Sequence, residues 1–225
     1  MTTTRVLLIA PALSTALREA RFGEAEESPP DQDAAANGTG TGGLDPVGLR
    51  QAEAVREPFP RPSRLHISPT RRCHATARAL GLTTAPAPTP APLTAPAPCG
   101  MGRWQGRTLD DVAAAEPESL AAWLADPAAA PHGGESLLTL LARVGDWLDA
   151  LPDAPTESRS QDAHRNGRVL AVAEPDVIRA AVTHALGAPP AAFWRIDVRP
   201  LSLVELSGRG GRWNLLGGRP LHTDT

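Results

Sequence analysis

Two stretches of this chain are apolar at every position: Val6-Leu7-Leu8-Ile9-Ala10 and Val169-Leu170-Ala171-Val172-Ala173. A strand with that pattern has no solvent face, so it belongs in the middle of a sheet that helices cover on both sides. Between and after these runs, strand and helix signals alternate. Asp45-Pro46 reads as an N-cap with proline at the first helical position, opening "VGLRQAEAV". "RLHIS" (64–68) reads as a short strand, and "TRRCHATARALG" as a helix stopped by Gly81. Thr108, with Asp111 three residues on, resembles a capping box, and helix is expected on both sides of Pro117. Leu137, Leu141, Val144, Leu148 and Leu151 recur at helical spacing, predicting an amphipathic helix over 136–151. "PDVIRAAVTHALG" reads as a helix with proline near its start, and "LSLVELS", "GRGG" and "RWNLLGG" as a closing hairpin. Alternation of this kind makes an α/β layered sandwich.

The 225 residues suit one domain, 1–225, with room for a sizeable core. Flexible insertions are expected around 23–44 and 155–166, which carry Gly, Ser and charge without apolar periodicity. The Pro/Ala-rich stretch 85–98 reads as an extended connection. With 22 basic and 25 acidic side chains the net charge is −3, which gives no general pull toward nucleic acid or anionic membrane. Lysine is absent, which points to the codon usage of a GC-rich bacterial genome. Cys73 and Cys99 make neither a disulfide framework nor a metal site, and the six histidines show no ligand spacing. No metal and no cofactor are expected. There is no signal-like segment or membrane-length apolar run, so the expectation is a soluble cytoplasmic protein, with homo-oligomers left open.

The order of four motifs resembles the histidine phosphatase superfamily, the phosphoglycerate-mutase-like fold. "SPTRRCHATARALG" is similar to its Ser-Pro-x-x-Arg segment, and "GRWQGRTLDDV" to its Gly-x-Trp-x-Gly turn. "PHGGESLLTLLARVGDWL" resembles its Gly-Gly-Glu-Ser turn and following helix, with Arg143 at the characteristic arginine. "VLAVAEPDVIRAAVTHALG" resembles its fourth strand and the helix after it, including Ile178-Arg179. The resemblance implies a three-layer α/β/α sandwich with a mostly parallel central sheet, and a site at the carboxyl ends of the strands.

At that site the sequence departs from the family pattern. The resemblance places an Arg-His-Gly triplet, whose histidine takes the phosphoryl group, where Ala10, Pro11 and Ala12 stand. A second histidine is implied where Glu174 stands, and an acid where Pro98 stands. Of the ionisable pocket, Arg72 is the cation that remains, with Glu174 facing it. Such a pair at 4 Å gains roughly 4 kcal/mol of Coulomb energy at an effective dielectric of 20, before desolvation. It would neutralise the pocket against a phosphate dianion. Glu174 also opens a helix, where a carboxylate is favoured by the helix N-terminus alone. The vestigial pocket is therefore Ala10, Pro11, Arg72 and Glu174, with Arg72, Glu174, His132 and Ser14 as ligand-binding candidates. His132 is expected near the pocket mouth. Glu135 and Arg143 are expected to brace the fold, and Trp104, Trp123, Trp147 and Trp194 to sit in the core. From these residues the expected function is a non-catalytic pseudo-phosphatase that binds a small molecule or a protein partner. The alternative is a repurposed non-phosphatase enzyme with Glu174 as general base and Arg72 holding an anion. An active phosphatase is the third reading.

Overall fold

A computed structural model describes residues 3–23, 43–55, 64–82, 93–152 and 168–221. The expected mobile segment 155–166 lies outside the described residues, as does 23–44 apart from its two ends. Six strands form one sheet in the order β3-β2-β4-β1-β5-β6. They are β1 (Thr4–Ile9), β2 (Arg64–Ile67), β3 (Leu93–Thr94), β4 (Arg168–Val172), β5 (Ser202–Arg209) and β6 (Arg212–Pro220). The first four are mutually parallel, β5 is antiparallel to β1, and β6 is antiparallel to β5. The two wholly apolar runs are thus the adjacent central strands, as their pattern requires. The mixed α/β fold and its mostly parallel sheet agree with the sequence.

Alternate residues of β4 feed two separate cores, which is the period of two that a strand imposes. Val169 and Ala171 pack with Val6 and Leu8 beneath helices α6 (Leu137–Asp149) and α7 (Pro175–Ala185). Leu170 and Val172 pack on the opposite face, beneath α2 (Pro46–Ala54) and α3 (Arg71–Ala79). The amphipathic face of α6 buries Leu137, Leu140, Val144 and Leu148. Each such side chain contributes about 1.5–3 kcal/mol relative to full exposure. The two caps read from the sequence are present, Asp45 accepting the Val47 amide and Thr108 that of Asp111, and two more join them, Thr70 accepting the amide of Cys73 and Ser136 that of Thr139. Pro117 divides its region into α4 (Leu109–Ala115) and α5 (Pro117–Ala125). A short α1 (Thr15–Arg18), capped by Ser14, was not legible in the sequence. From the Pro/Ala-rich stretch, 93–94 joins the sheet at its edge beside β2, the position where a proline-rich neighbour can be tolerated.

The two glycine turns of the sequence motifs interlock. Gly102 has φ +49°, and a Cβ there would collide with the His132 carbonyl. A Cβ on Gly134 would collide with the Gly100 carbonyl, which accepts the Glu135 amide at 2.7 Å. Close backbone approach explains the glycines of both turns. The contact also fixes the segment 97–106 over the carboxyl end of the sheet.

Candidate functional site

The site begins with register. Ile9, Ile67 and Val172 are aligned across the three neighbouring strands, so the chain leaves all three at one level. The ladder continues one step further, with the amide of Ser68 bonded to the Val172 carbonyl and that of Ala173 to Ile9. Helices α3 and α7 then start from this edge, which is where an open parallel sheet carries its ligand crevice.

Glu174 and Arg72 meet there, as the sequence leads one to expect. Arg72 Nε donates to Glu174 Oε1 at 2.8 Å and Nη2 donates to Oε2, a two-pronged fork on one carboxylate. Thr70 Oγ1 donates to the same Oε1 at 2.6 Å. The side chains of Arg72 and Glu174 keep 13% and 3% of their surface, so the pair is desolvated. Glu174 stands at the N-cap position of α7, yet its side chain caps no amide of that helix. The carboxylate is turned to Arg72 instead, while its charge still stands at the N-terminal end of the α7 dipole. Ser14, 1% exposed, accepts from Arg72 Nη1 at 3.3 Å and from the Leu17 amide at 3.2 Å, so it buttresses the arginine.

Ala10, Pro11 and Ala12 are buried, with no side-chain hydrogen-bonding group to offer. Their backbone is tied down by Ala10 N–H to the Ser202 carbonyl and Ala12 N–H to Thr76 Oγ1 at 3.0 Å. Glu135 and Arg143 do brace the fold: Arg143 forks onto Glu135 at 2.6 and 2.7 Å and reaches the carbonyls of Ala97 and Pro98.

Three sequence expectations need correcting. His132 is not at the mouth of the cleft. It is 1% exposed in an aromatic cluster, 4.9 Å from the Trp104 ring, because the Gly133-Gly134 turn folds back and gives its amide to His132 Nδ1. Burial, helped by Arg103, pushes its pKa down and favours the neutral ring. Trp123 and Trp194, expected in the core, are half-buried and line the cleft. Arg72 is also not the lone cation: among the described residues the cleft, about 1150 Å³, is lined by Arg21, Arg71, Arg72 and Arg179 against Glu19, Glu174 and Asp176. Helix α7 supplies Asp176 and Arg179, which the strand-end motif alone does not point to. Asp176 Oδ2 accepts the Cys99 amide at 2.6 Å and Oδ1 the Val177 amide at 2.8 Å. Burial nonetheless pushes the Asp176 carboxyl above the usual range, with the nearby Glu174 charge adding to it and the Cys99 bond opposing. Among the described residues no cluster of His, Cys, Asp and Glu could hold a metal ion, and no helix is long and apolar enough to cross a membrane.

Comparison with known proteins follows the same lines. The profile of the histidine phosphatase superfamily (branch 1) matches residues 20–218, beginning after β1 and the Ala10–Ala12 turn. Glucosyl-3-phosphoglycerate phosphatase of Mycolicibacterium vanbaalenii is 31% identical over 169 residues, 73% of this chain and 73% of that protein. A bifunctional protein of Mycobacterium tuberculosis is 28% identical over 183 residues, 77% of this chain but 46% of its own length. The chain therefore spans about half of that longer relative. The structure of a mycobacterial glucosyl-3-phosphoglycerate phosphatase in complex with VO3 superposes with a TM-score of 0.69 at 24% identity, covering 94% of this chain and 96% of the other. At that identity the likeness concerns the fold.

These findings overturn the expectation of a non-catalytic pseudo-phosphatase and of an enzyme repurposed away from phosphate esters. The relative that is matched over 73% of both chains is named a phosphatase, as is the protein in the VO3 complex. The expectation failed for a physical reason as well. It counted one cation in the cleft, and the lining holds four arginines to three carboxylates. With that balance the cleft does not repel a phosphate dianion by charge. By the extent of the profile match, this chain belongs to the histidine phosphatase superfamily, branch 1.

Proposed function

We propose that the chain hydrolyses a phosphate monoester of a small organic molecule in the cleft at the carboxyl ends of β1, β2 and β4. Family membership across residues 20–218, beside a phosphatase relative matched over 73% of both chains, is the observation that carries this reading. The phosphoryl group lies against Arg72 and the start of α3, where a guanidinium and helix amides favour an anion. The residues at the end of β1 differ from the family's Arg-His-Gly, and Glu174 takes the place of its second histidine. The acceptor in this chain is therefore not a histidine at the β1 end.

Thr70 Oγ1, 2.6 Å from Glu174 Oε1, is the hydroxyl with a base beside it. In this reading Thr70 Oγ1 forms a bond to phosphorus and its proton passes to Glu174, while the bond from phosphorus to the leaving oxygen breaks. Asp176, with its pKa raised chiefly by burial, gives the leaving oxygen a proton. Water then attacks the phosphothreonine, losing its proton to the Asp176 carboxylate, and Thr70 regains its own from Glu174. The product is inorganic phosphate and the free alcohol.

The test is release of inorganic phosphate from a panel of sugar, glycerate, amino-acid and aryl phosphates by the purified chain. Release above the uncatalysed rate, reduced by about 100-fold or more in Thr70→Val, is expected. No release from any member would overturn the proposal. Full activity in Thr70→Val would remove Thr70 as acceptor.

A further inference from the structure

Beyond the phosphoryl end, the same cleft carries a wall of aromatic rings. Trp123 on α5 and Trp194, in the short 3-10 helix Pro190–Arg195, meet edge to face, with centroids 4.8 Å apart at 74°. Phe22 packs on Trp123 at 5.8 Å, and Phe193 on Trp194 at 4.9 Å. Phe22, Met101, Trp123, Phe193 and Trp194 all line the cleft. Trp123 is hemmed in by Phe22, Trp104, His132 and Trp194, whereas Trp194 has ring contacts with Phe193 and Trp123 among the described residues. Both of those contacts are steep, at 86° and 74°, so neither is a parallel ring stacked on Trp194. Trp194 is half-buried, and therefore the ring best placed to receive something flat.

Polar groups on this wall are few. The guanidinium of Arg179 lies 5.8 Å from the Phe193 ring centroid, and its Nε is committed to the Ile196 carbonyl at 2.8 Å. Among the described residues the rings of this wall offer a hydroxylated leaving group such as a sugar few hydrogen bonds, and the polar side chains of Glu19, Arg21 and Gln105 line the cleft outside the wall. A planar ring loses little there and gains dispersion and quadrupole contacts. Arg179 follows Asp176 by three residues on α7, about one helical turn. The wall thus begins, at Phe193, beside a residue that stands about one helical turn from Asp176.

We infer that this wall is the leaving-group subsite, with Trp194 as its platform, and that the substrate class is a phosphomonoester of an aryl or flat heteroaromatic alcohol. The inference rests on the phosphatase reading for the identity of the ligand's other end, and its test separates the two.

Calorimetric binding of naphthylmethylphosphonate, methylphosphonate and 2-naphthylmethanol would be measured on the full chain and on Trp194→Ala and Trp194→Leu. The naphthyl phosphonate should bind the parent about ten-fold tighter than methylphosphonate, the size of effect one stacked ring gives on removal. Both variants should bring that ratio to within about two-fold, because both remove the π face while Leu keeps most of the volume. Equal binding of the two phosphonates by the parent, or an unchanged ratio in a folded variant, overturns the inference. Naphthylmethanol has no anionic end. If it binds the parent and is lost in the variants while neither phosphonate binds, the ring subsite stands and the phosphoryl reading fails. If it does not bind and the naphthyl phosphonate also shows no advantage over methylphosphonate, the ring subsite fails, whatever the phosphate-release assay shows.

Discussion

Replacing Glu174 by glutamine is the perturbation that most fully exposes the electrostatics of the cleft. The carboxylate accepts two bonds from Arg72, one from Thr70 and a weak one from Cys73 Sγ at 3.4 Å, and only 3% of its side chain meets solvent. Glutamine keeps an acceptor at Oε1 but sets an NH2 group against Arg72 Nη2, and it leaves the guanidinium charge without its counter-charge. Hydrogen bonds to charged groups contribute about 1.5–3 kcal/mol each, and breaking a buried pair outright costs about 3–5 kcal/mol. Because glutamine retains part of the network, a loss of about 2–4 kcal/mol is expected. For a chain of this size that is a fall in Tm of roughly 5–15 °C. The exposed charge should then attract anions. Sulfate at ten times its Kd adds about 1.4 kcal/mol of stability, or roughly 3–6 °C, to the variant, with a smaller response in the parent. Phosphate release should fall at the same time, since the variant lacks the base proposed for Thr70 while the anion site is strengthened. Thermal unfolding of both proteins with and without sulfate, beside the phosphate-release assay, measures all three. A variant within about 1 kcal/mol of the parent, with the same sulfate response, would refute the reasoning, because it would mean that the two charges do not depend on one another.

Further perturbations address the scaffold. Burial pushes Asp149 up, but bonds from Trp213 Nε1, the Gly211 amide and His184 outweigh it, so its carboxyl lies below the usual range. A depressed carboxylate gives stability that is complete above its unfolded pKa, about 3.9, and is lost as the pH falls through the lower folded value. Asp149→Asn should therefore cost about 1–2 kcal/mol at pH 7, and the difference should close under acid, as followed by denaturant melts across pH. Gly134→Ala should cost about 1–3 kcal/mol, because its Cβ would strike the Gly100 backbone and not a flexible side chain. Chemical denaturation measures it, and an unchanged midpoint would mean that the two motif turns are not held in contact.

The sequence made the central strands legible because β1 and β4 are apolar on both faces, a pattern with few other homes. It also made Arg72 and Glu174 legible as a pair across 102 positions, since each stands at a motif position whose place in the fold is fixed. What it concealed has a physical pattern too. Asp176 and Arg179 are polar residues in the first two turns of an amphipathic helix, and their direction depends on how α7 sits on the sheet. The aromatic wall joins Phe22, α5 and a 3-10 turn near residue 194, three pieces with no common period. His132 could not be placed because its burial comes from the Gly100–Gly102 and Gly133-Gly134 contact, which is long-range. The charge of the cleft was misjudged for the same reason: Arg21, Arg71 and Arg179 reach it from different elements.

The central claim is that the carboxyl-edge cleft around Arg72 is where a phosphate ester is bound and hydrolysed. Its most direct measurement is kcat/KM for phosphate release by the parent and by Arg72→Ala, with circular dichroism confirming that both are folded. Removing the guanidinium takes away the proposed charged partner of the phosphoryl group in the transition state, an effect of about 3–4 kcal/mol in a water-poor site. The account predicts turnover in the parent and a fall of at least about 100-fold in the variant. Parent turnover that survives unchanged in a folded Arg72→Ala protein would contradict it.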